Sequence, residues 1–324
     1  MPPFISICVP AYKKPHYLRR LFESIRLQTF RDFEIIVTDN SGDDTTAYDM
    51  IRTFEHELPI RYFRNTPPVT MAENWNNSIA YATGTWIKMM HDDDWFTSPN
   101  SLQRFVDGIK AHPESNFFFA AYNNIYEDEN DRLVEIRVKP ADEKGMRDNL
   151  LYLFRTNYIG NPSCTIYRKN DIIYDKAFSW VVDFEFYIRY LSATGNKFTY
   201  IDEPLINIGM NGSQVTRSTF RVNKVEVPEN HTMLANFGFG SLKNIYVYDY
   251  FWRLYRNLKI RDLAQLSQDG YNGPLSPVLK SMIDWQKKFP LLLLRFGPFS
   301  KSLMLLHYLT HSYAIRDSAI HSHC

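Results

Sequence analysis

Ile5-Ser6-Ile7-Cys8-Val9 is a β-branched apolar run that stops at Pro10. From Pro15, Leu18, Leu21, Phe22, Ile25 and Leu27 recur near a 3.6-residue period, and Glu34-Ile35-Ile36-Val37-Thr38 forms a second apolar run. Buried strand, amphipathic helix and buried strand in so short a stretch make a βαβ unit. Such a unit implies a parallel sheet with a right-handed crossover, and few fold classes accept it.

The alternation continues. Ile51, Phe54 and Leu58 mark a helix face, residues 60–63 a strand, 71–82 a helix and 85–90 a strand. A helix over about 98–111 would be opened by Ser98 as cap with Pro99 at its first position, and 117–120 is another strand. From about residue 215 long helical patterns take over, through aromatic-rich 246–258 and 277–288 into an apolar, basic tail. The expected fold is α/β, an open and mostly parallel sheet flanked by helices. That α/β domain would run over 1–216, in two parts of about 1–98 and 99–216. A mainly helical extension would follow over 217–324.

Two acidic clusters lie where open parallel sheets bind ligands, just past the strands' carboxyl ends. Asp39-Asn40-Ser41-Gly42-Asp43-Asp44 follows the second strand, and His91-Asp92-Asp93-Asp94-Trp95 follows 85–90. Three successive carboxylates repel one another unless a cation or hydrogen-bond donors compensate. Hard oxygen ligands of this kind suit Mg²⁺ or Mn²⁺, above all when a phosphate completes the shell. A solvated loop is the ordinary alternative, and the placement after a strand favours the metal.

In order along the chain, these stretches resemble the family-2 glycosyltransferases of the GT-A fold, inverting enzymes with nucleotide-sugar donors. Ile5 to Tyr12 is similar to that family's opening strand and Pro-x-Tyr turn, with Lys13 where Asn is usual. Residues 24–29 are similar to the end of its first helix. Residues 35–44 match its second strand and acidic turn. The resemblance implies that Asp39 binds the nucleotide base, helped by backbone around Pro10, Ala11 and Tyr12. The stretch 74–84 resembles the helix whose Asn, here Asn76, faces the donor, with Trp75 in place of the frequent basic residue. Asp93 falls on the main metal-binding acid and His91 on the first, while Asp92 and Asp94 satisfy Asp-x-Asp by themselves. Asp93 and Asp94 are the expected metal ligands, with Asp92 on the donor. Val181 to Arg189 resembles the Glu-Asp helix start, which puts the general base on Asp183, with Val182 replacing the preceding Glu and Glu185 as the fallback. Residues 160–164 resemble the small-residue stretch before the acceptor site. Residues 212–217 resemble a segment beside the donor diphosphate, with Arg217 as its basic residue. The resemblance covers about 4–216 and carries over the nucleotide-sugar donor, UDP by preference, the divalent ion and a glycan or lipid-linked glycan acceptor.

Composition narrows the rest. Lys and Arg number 37 against 36 Asp and Glu, so no general nucleic-acid binder is indicated. Cys8, Cys164 and Cys324 form no CxxC and no even set, and Met-Pro-Pro-Phe is no signal sequence; a cytoplasmic protein with free thiols is expected. Aromatics reach 15%, which suits sugar stacking in a carbohydrate-binding module, or simply an aromatic core. A nucleotidyltransferase would need a Gly-rich phosphate loop after the first strand, and Pro10-Ala11-Tyr12-Lys13-Lys14-Pro15 has no glycine. No run approaches the roughly 20 apolar residues of a membrane span; 291–294 is stopped by Arg295. From Trp285 onward five Lys or Arg face the single acid Asp317. That tail suits a helix lying on an anionic membrane, or a cap on the catalytic domain or on another subunit.

Overall fold

The computed structural model describes residues 1–210 and 220–315. Strands β1 (Ile5–Ala11) and β2 (Phe33–Asp39) are buried at every position, as in parallel sheets covered on both faces. Between them α1 (Pro15–Arg26) turns Leu18, Leu21, Phe22 and Ile25 inward. Helix α2 (Thr46–Arg52) leads to β3 (Ile60–Arg64). Thr70 and Glu73 close a capping box that opens α3 (Met71–Tyr81), which leads to β4 (Trp86–Met89). All pairings among these four strands are parallel, with β1 between β2 and β4. The chain winds outward to β3 and then returns to the other side of β1, so a topological switch point lies at the carboxyl end of β1.

Beyond β4 the sheet is mixed. It also contains β5 (Trp95–Phe96), β6 (Phe117–Tyr126), β7 (Arg132–Ile136), β8 (Thr165–Arg168) and β9 (Phe198–Met210), in the order β3-β2-β1-β4-β8-β6-β9-β5 with β7 on β6. β8 is antiparallel to both β4 and β6, and β9 is parallel to β6. The register of β9 slips between Ile201 and Ile206. A bulge there takes up the Asp202-Glu203-Pro204 interruption, which hides this strand in the sequence. Helices α4 (Ser101–Ala111), α5 (Pro140–Asp148) and α6 (Val182–Ala193) complete this part.

Helix α4 starts at Ser101, and Ser98 does not cap it. The Ser98 carbonyl accepts from the Ser101 N–H and from Gln28 Nε2, while Pro99 O accepts from Thr29 N. Ser98 and Pro99 are therefore held in a turn against the end of α1.

The chain resolves into two compact units, one of 1–147, 158–176 and 182–214, the other of 148–157, 177–181 and 215–324. The second is helical: α7 (Asn223–Phe237), α8 (Ile245–Leu258), α9 (Leu263–Gln268), α10 (Pro277–Lys287), α11 (Leu291–Arg295) and α12 (Gly297–His311). Within it Glu229 gathers four donors, Ser179 N, Ser179 Oγ, Trp180 N and Val181 N, at 2.6–3.1 Å. The abundant aromatics are largely core: Phe117, Tyr167, Tyr187 and Tyr190 in one unit, Tyr248, Trp252 and Tyr255 in the other, are all buried.

Candidate active site

Three turns meet at the switch point. Lys13 and Lys14, just past β1, both adopt the left-handed conformation, at φ 58° and 53°. Two such residues in succession without glycine are strained and persist only where neighbours over-determine them. The neighbours are the two acidic turns. Lys13 N donates to Ser41 Oγ at 2.8 Å, and Tyr12 N donates to Asp92 Oδ2 at 3.2 Å. Pro10 and Ala11 are buried at the end of β1, while Tyr12 is exposed.

Asp39 closes β2 with no exposed surface. Its Oδ1 accepts from Ser41 N at 2.9 Å and its Oδ2 from the Tyr62 hydroxyl at 2.5 Å, with Arg64 Nη2 at 3.7 Å. Asn76 is half-buried, and its amide is engaged at both ends by the backbone of Tyr174: Nδ2 donates to the carbonyl at 2.8 Å, and Oδ1 accepts from the N–H at 2.9 Å.

In the third turn the three carboxylates diverge. Asp92 and Asp93 are half-buried, and Asp94 is buried. Asp94 Oδ2 accepts from Asn161 Nδ2 at 2.8 Å and Oδ1 from Gly209 N at 3.3 Å. Expected as a metal ligand, Asp94 has both carboxylate oxygens engaged by the protein. Burial, and next the charge of Asp93, raise the pKa of both Asp92 and Asp94. Asp92 and Asp93 thus offer hard oxygen donors in an electrostatic setting that a divalent cation relieves. Among the described residues no group of three or more His, Cys, Asp and Glu converges on one point. A cation here would need oxygens from a ligand as well. His91, on the family's first acid position, packs on Trp75 with ring centroids 4.7 Å apart and the planes tilted by 34°, and burial holds its pKa down near 4.

The turn is fastened from both sides by residues that sequence reading does not single out. Arg20 on α1 donates to the Asp93 carbonyl at 2.9 Å and to Glu127 Oε1 at 2.7 Å, and lies 3.5 Å over the Trp95 ring. Lys88 is wholly buried in β4; its ammonium donates to the Ser163 carbonyl and sits 5.0 Å from the Phe105 ring. Burial brings its pKa down to about 7. Ser163 Oγ in turn accepts from His91 N at 2.9 Å. The one available signal was a lysine inside an otherwise apolar strand.

Asp183 lies in the first turn of α6, half-buried, with Oδ1 accepting from Phe184 N at 2.7 Å. Burial raises its pKa to about 6. Glu185 is buried and forms a bidentate pair with Arg189 at 2.7 and 2.8 Å, which removes it as a base. Tyr187, one turn on, donates to Gly160 O at 3.2 Å. With Asn161 bonded to Asp94 and Gly160 to Tyr187, the 160–164 turn lies between the acidic turn and the helix that carries Asp183. Arg217 and the rest of 212–217 lie outside the described residues.

Residues 6–173, just over half of the chain, match the family described as Glycosyl transferase family 2. The chain belongs to that family. Among relatives of this transferase is an uncharacterized glycosyltransferase, MJ1057 of Methanocaldococcus jannaschii, 23% identical over 78% of the chain and 85% of the relative. The GalNAc(5)-diNAcBac-PP-undecaprenol beta-1,3-glucosyltransferase of Campylobacter jejuni is 28% identical over 38% of the chain and 41% of the relative. Other relatives are matched over shorter parts, 37% of a Haemophilus influenzae glycosyltransferase for instance. Two solved structures share the fold: S. aureus TarS with UDP-GlcNAc and the Pyrobaculum calidifontis mannosyltransferase PcManGT with GDP-Man and Mn2+. Their TM-scores are 0.55 and 0.56 at 16% and 12% identity, over 98% and 97% of the chain and 82% and 87% of theirs.

Proposed function

We propose that this glycosyltransferase moves one sugar, with inversion, from a nucleotide diphosphate donor, UDP by preference, to an acceptor hydroxyl on a growing surface glycan or lipid-linked glycan. The observation that carries the reading is the fastening of the strained Tyr12–Lys13 turn to both acidic turns, with Asp183 held as a high-pKa carboxylate beyond the 160–164 turn. Pro10, Ala11, Tyr12 and Asp39 hold the base, Asp39 once the Tyr62 hydroxyl yields. Asp92 and Asp93 face the diphosphate, and Asp94 anchors their loop through Asn161 and Gly209. Asp93, with Asp92, would hold Mg²⁺ or Mn²⁺, which when bound supplies positive charge against the charge building on the leaving diphosphate. Arg217 would add to that charge. Asn76 positions the Tyr174 backbone. Asp183 takes the proton of the attacking acceptor hydroxyl, work suited to a carboxylate whose pKa lies near operating pH. The name of the Campylobacter relative favours a lipid-linked acceptor. No described helix is long and apolar enough to cross a membrane.

Thermal unfolding with UDP, GDP, dTDP and CMP, each with and without Mn²⁺, tests the donor site. Ligand at a hundred times its dissociation constant adds about 2.7 kcal/mol to stability. A metal-dependent shift with UDP is expected. A shift with another nucleotide alone would reassign the donor, and no shift with any of them would overturn the donor reading.

A further inference from the structure

The second unit holds a cavity of about 440 Å³ between α8 and the first turn of α12. Its charged lining is Arg253, Arg256 and Lys301 against the single acid Asp249. Arg253 is already neutralised, with Nε 3.0 Å from Asp249 Oδ2 and Nη2 donating to Phe154 O at 2.7 Å. Arg256 reaches only neutral partners, Asn257 Oδ1 at 3.2 Å and Ser300 Oγ at 3.3 Å, and Lys301 has no ion pair among the described residues. Burial, and then the charge of Arg253, lower the pKa of Arg256, as expected where cations are crowded. Helix α12 adds its positive end. Phe296 at the N-cap supplies no side-chain acceptor, and no acid stands in the first turn.

The chain just before this cavity is apolar and outward-facing. Leu292 is 81% exposed, Phe296 62% and Leu293 44%. Leu305, Leu306 and Leu309 continue as exposed residues along α12. Single exposed leucines are ordinary, but a run of them beside an uncompensated cationic cavity is not. An anion with an apolar body attached matches both halves at once. We propose that this cavity takes the phosphate of an anionic membrane lipid, with Leu292, Leu293 and Phe296 entering the interfacial layer. Lys288 and Arg295 nearby in sequence add attraction for the same surface. This inference does not rest on the transfer reaction.

The test is co-sedimentation of the full chain with vesicles of phosphatidylcholine alone and with added phosphatidylglycerol. Retention is expected on the anionic vesicles only. The Arg256→Gln/Lys301→Gln double variant should bind them on the order of thirtyfold less, at about 1 kcal/mol for each basic contact. Leu292→Ser/Phe296→Ser should also lose retention. An unchanged unfolding midpoint and unchanged UDP binding in both variants would show that the fold is intact. Equal binding to neutral and anionic vesicles would overturn the proposal, as would a double variant that binds like the parent. So would stabilisation by inorganic phosphate without vesicle retention, or self-association that Leu292→Ser/Phe296→Ser abolishes.

Discussion

Asp183 is a half-buried carboxylate in the first turn of α6, pushed up to about 6 by desolvation. The raised value sets a sign. Below about pH 6 the group is protonated and cannot accept the acceptor's proton; above it the base is ionised. The rate of transfer at low substrate should therefore rise with pH and level off above about 6. Asp183→Asn should lower transfer by 10²- to 10⁴-fold, about the worth of general-base help, and leave donor binding intact. Equal loss of UDP binding in that variant would remove Asp183 from the chemistry. At this scale the places of the acids were legible: Asp39 closes a strand, 92–94 follow one, and Asp183 lies in the first turn of a helix. The packing around Asp92, Asp93 and Asp94 was not. It depends on Asn161 and Gly209, which lie 67 and 115 residues from Asp94, and on Arg20, whose partners Asp93 and Glu127 are equally remote.

Among the elements, the 160–164 turn carries more than its length suggests. Gly160 has φ +89°, and a Cβ there would lie 2.8 Å from the Tyr122 ring and 3.1 Å from Cys164 Sγ. Gly160→Ala should cost on the order of 2 kcal/mol and lower the unfolding midpoint by about 4–8 °C. Because Asn161 steadies Asp94, the variant should also need more Mn²⁺ for the same nucleotide response. An unchanged midpoint with an unchanged metal titration would show that the turn has no such role. The parallel half of the sheet was readable from its apolar runs, since β1, β2 and β4 are buried at every position. β5 has two residues and β7 five, mostly outward-facing, and neither carries a pattern. β9 is broken by its bulge.

At the scale of the molecule, the parallel half is tied together beneath the sheet by one buried acid. Glu34 on β2 accepts from Ser6 Oγ at 2.7 Å on β1, from Thr83 N at 2.6 Å and Oγ1 at 2.7 Å before β4, and from Arg61 Nη1 at 2.9 Å on β3. Burial alone would raise its pKa, but these donors win and bring it from 4.5 down to about 2. A depressed carboxylate stabilises fully above its unfolded value and loses that contribution as pH falls toward the folded one. Glu34→Gln should therefore lower stability at pH 7 by roughly 2–3 kcal/mol, with the gap closing between about pH 4.5 and 2. Denaturant unfolding across that range checks it, and a gap independent of pH would deny the ionic origin. The helical unit, by contrast, was legible only as a change of texture after about residue 215. Nothing in 148–157 or 177–181 marks them as belonging with it.

That threading of the helical unit bears on how the chain can emerge from a ribosome and how it can be cut. Its first two segments are made long before their partners: Phe154 waits for Arg253, and the amides of Ser179, Trp180 and Val181 wait for Glu229. Nascent chains stopped near residue 215 would expose these stretches with their acceptors and donors unanswered. A shortened gene ending there would leave two unfinished surfaces inside what looks, on paper, like a self-sufficient enzyme.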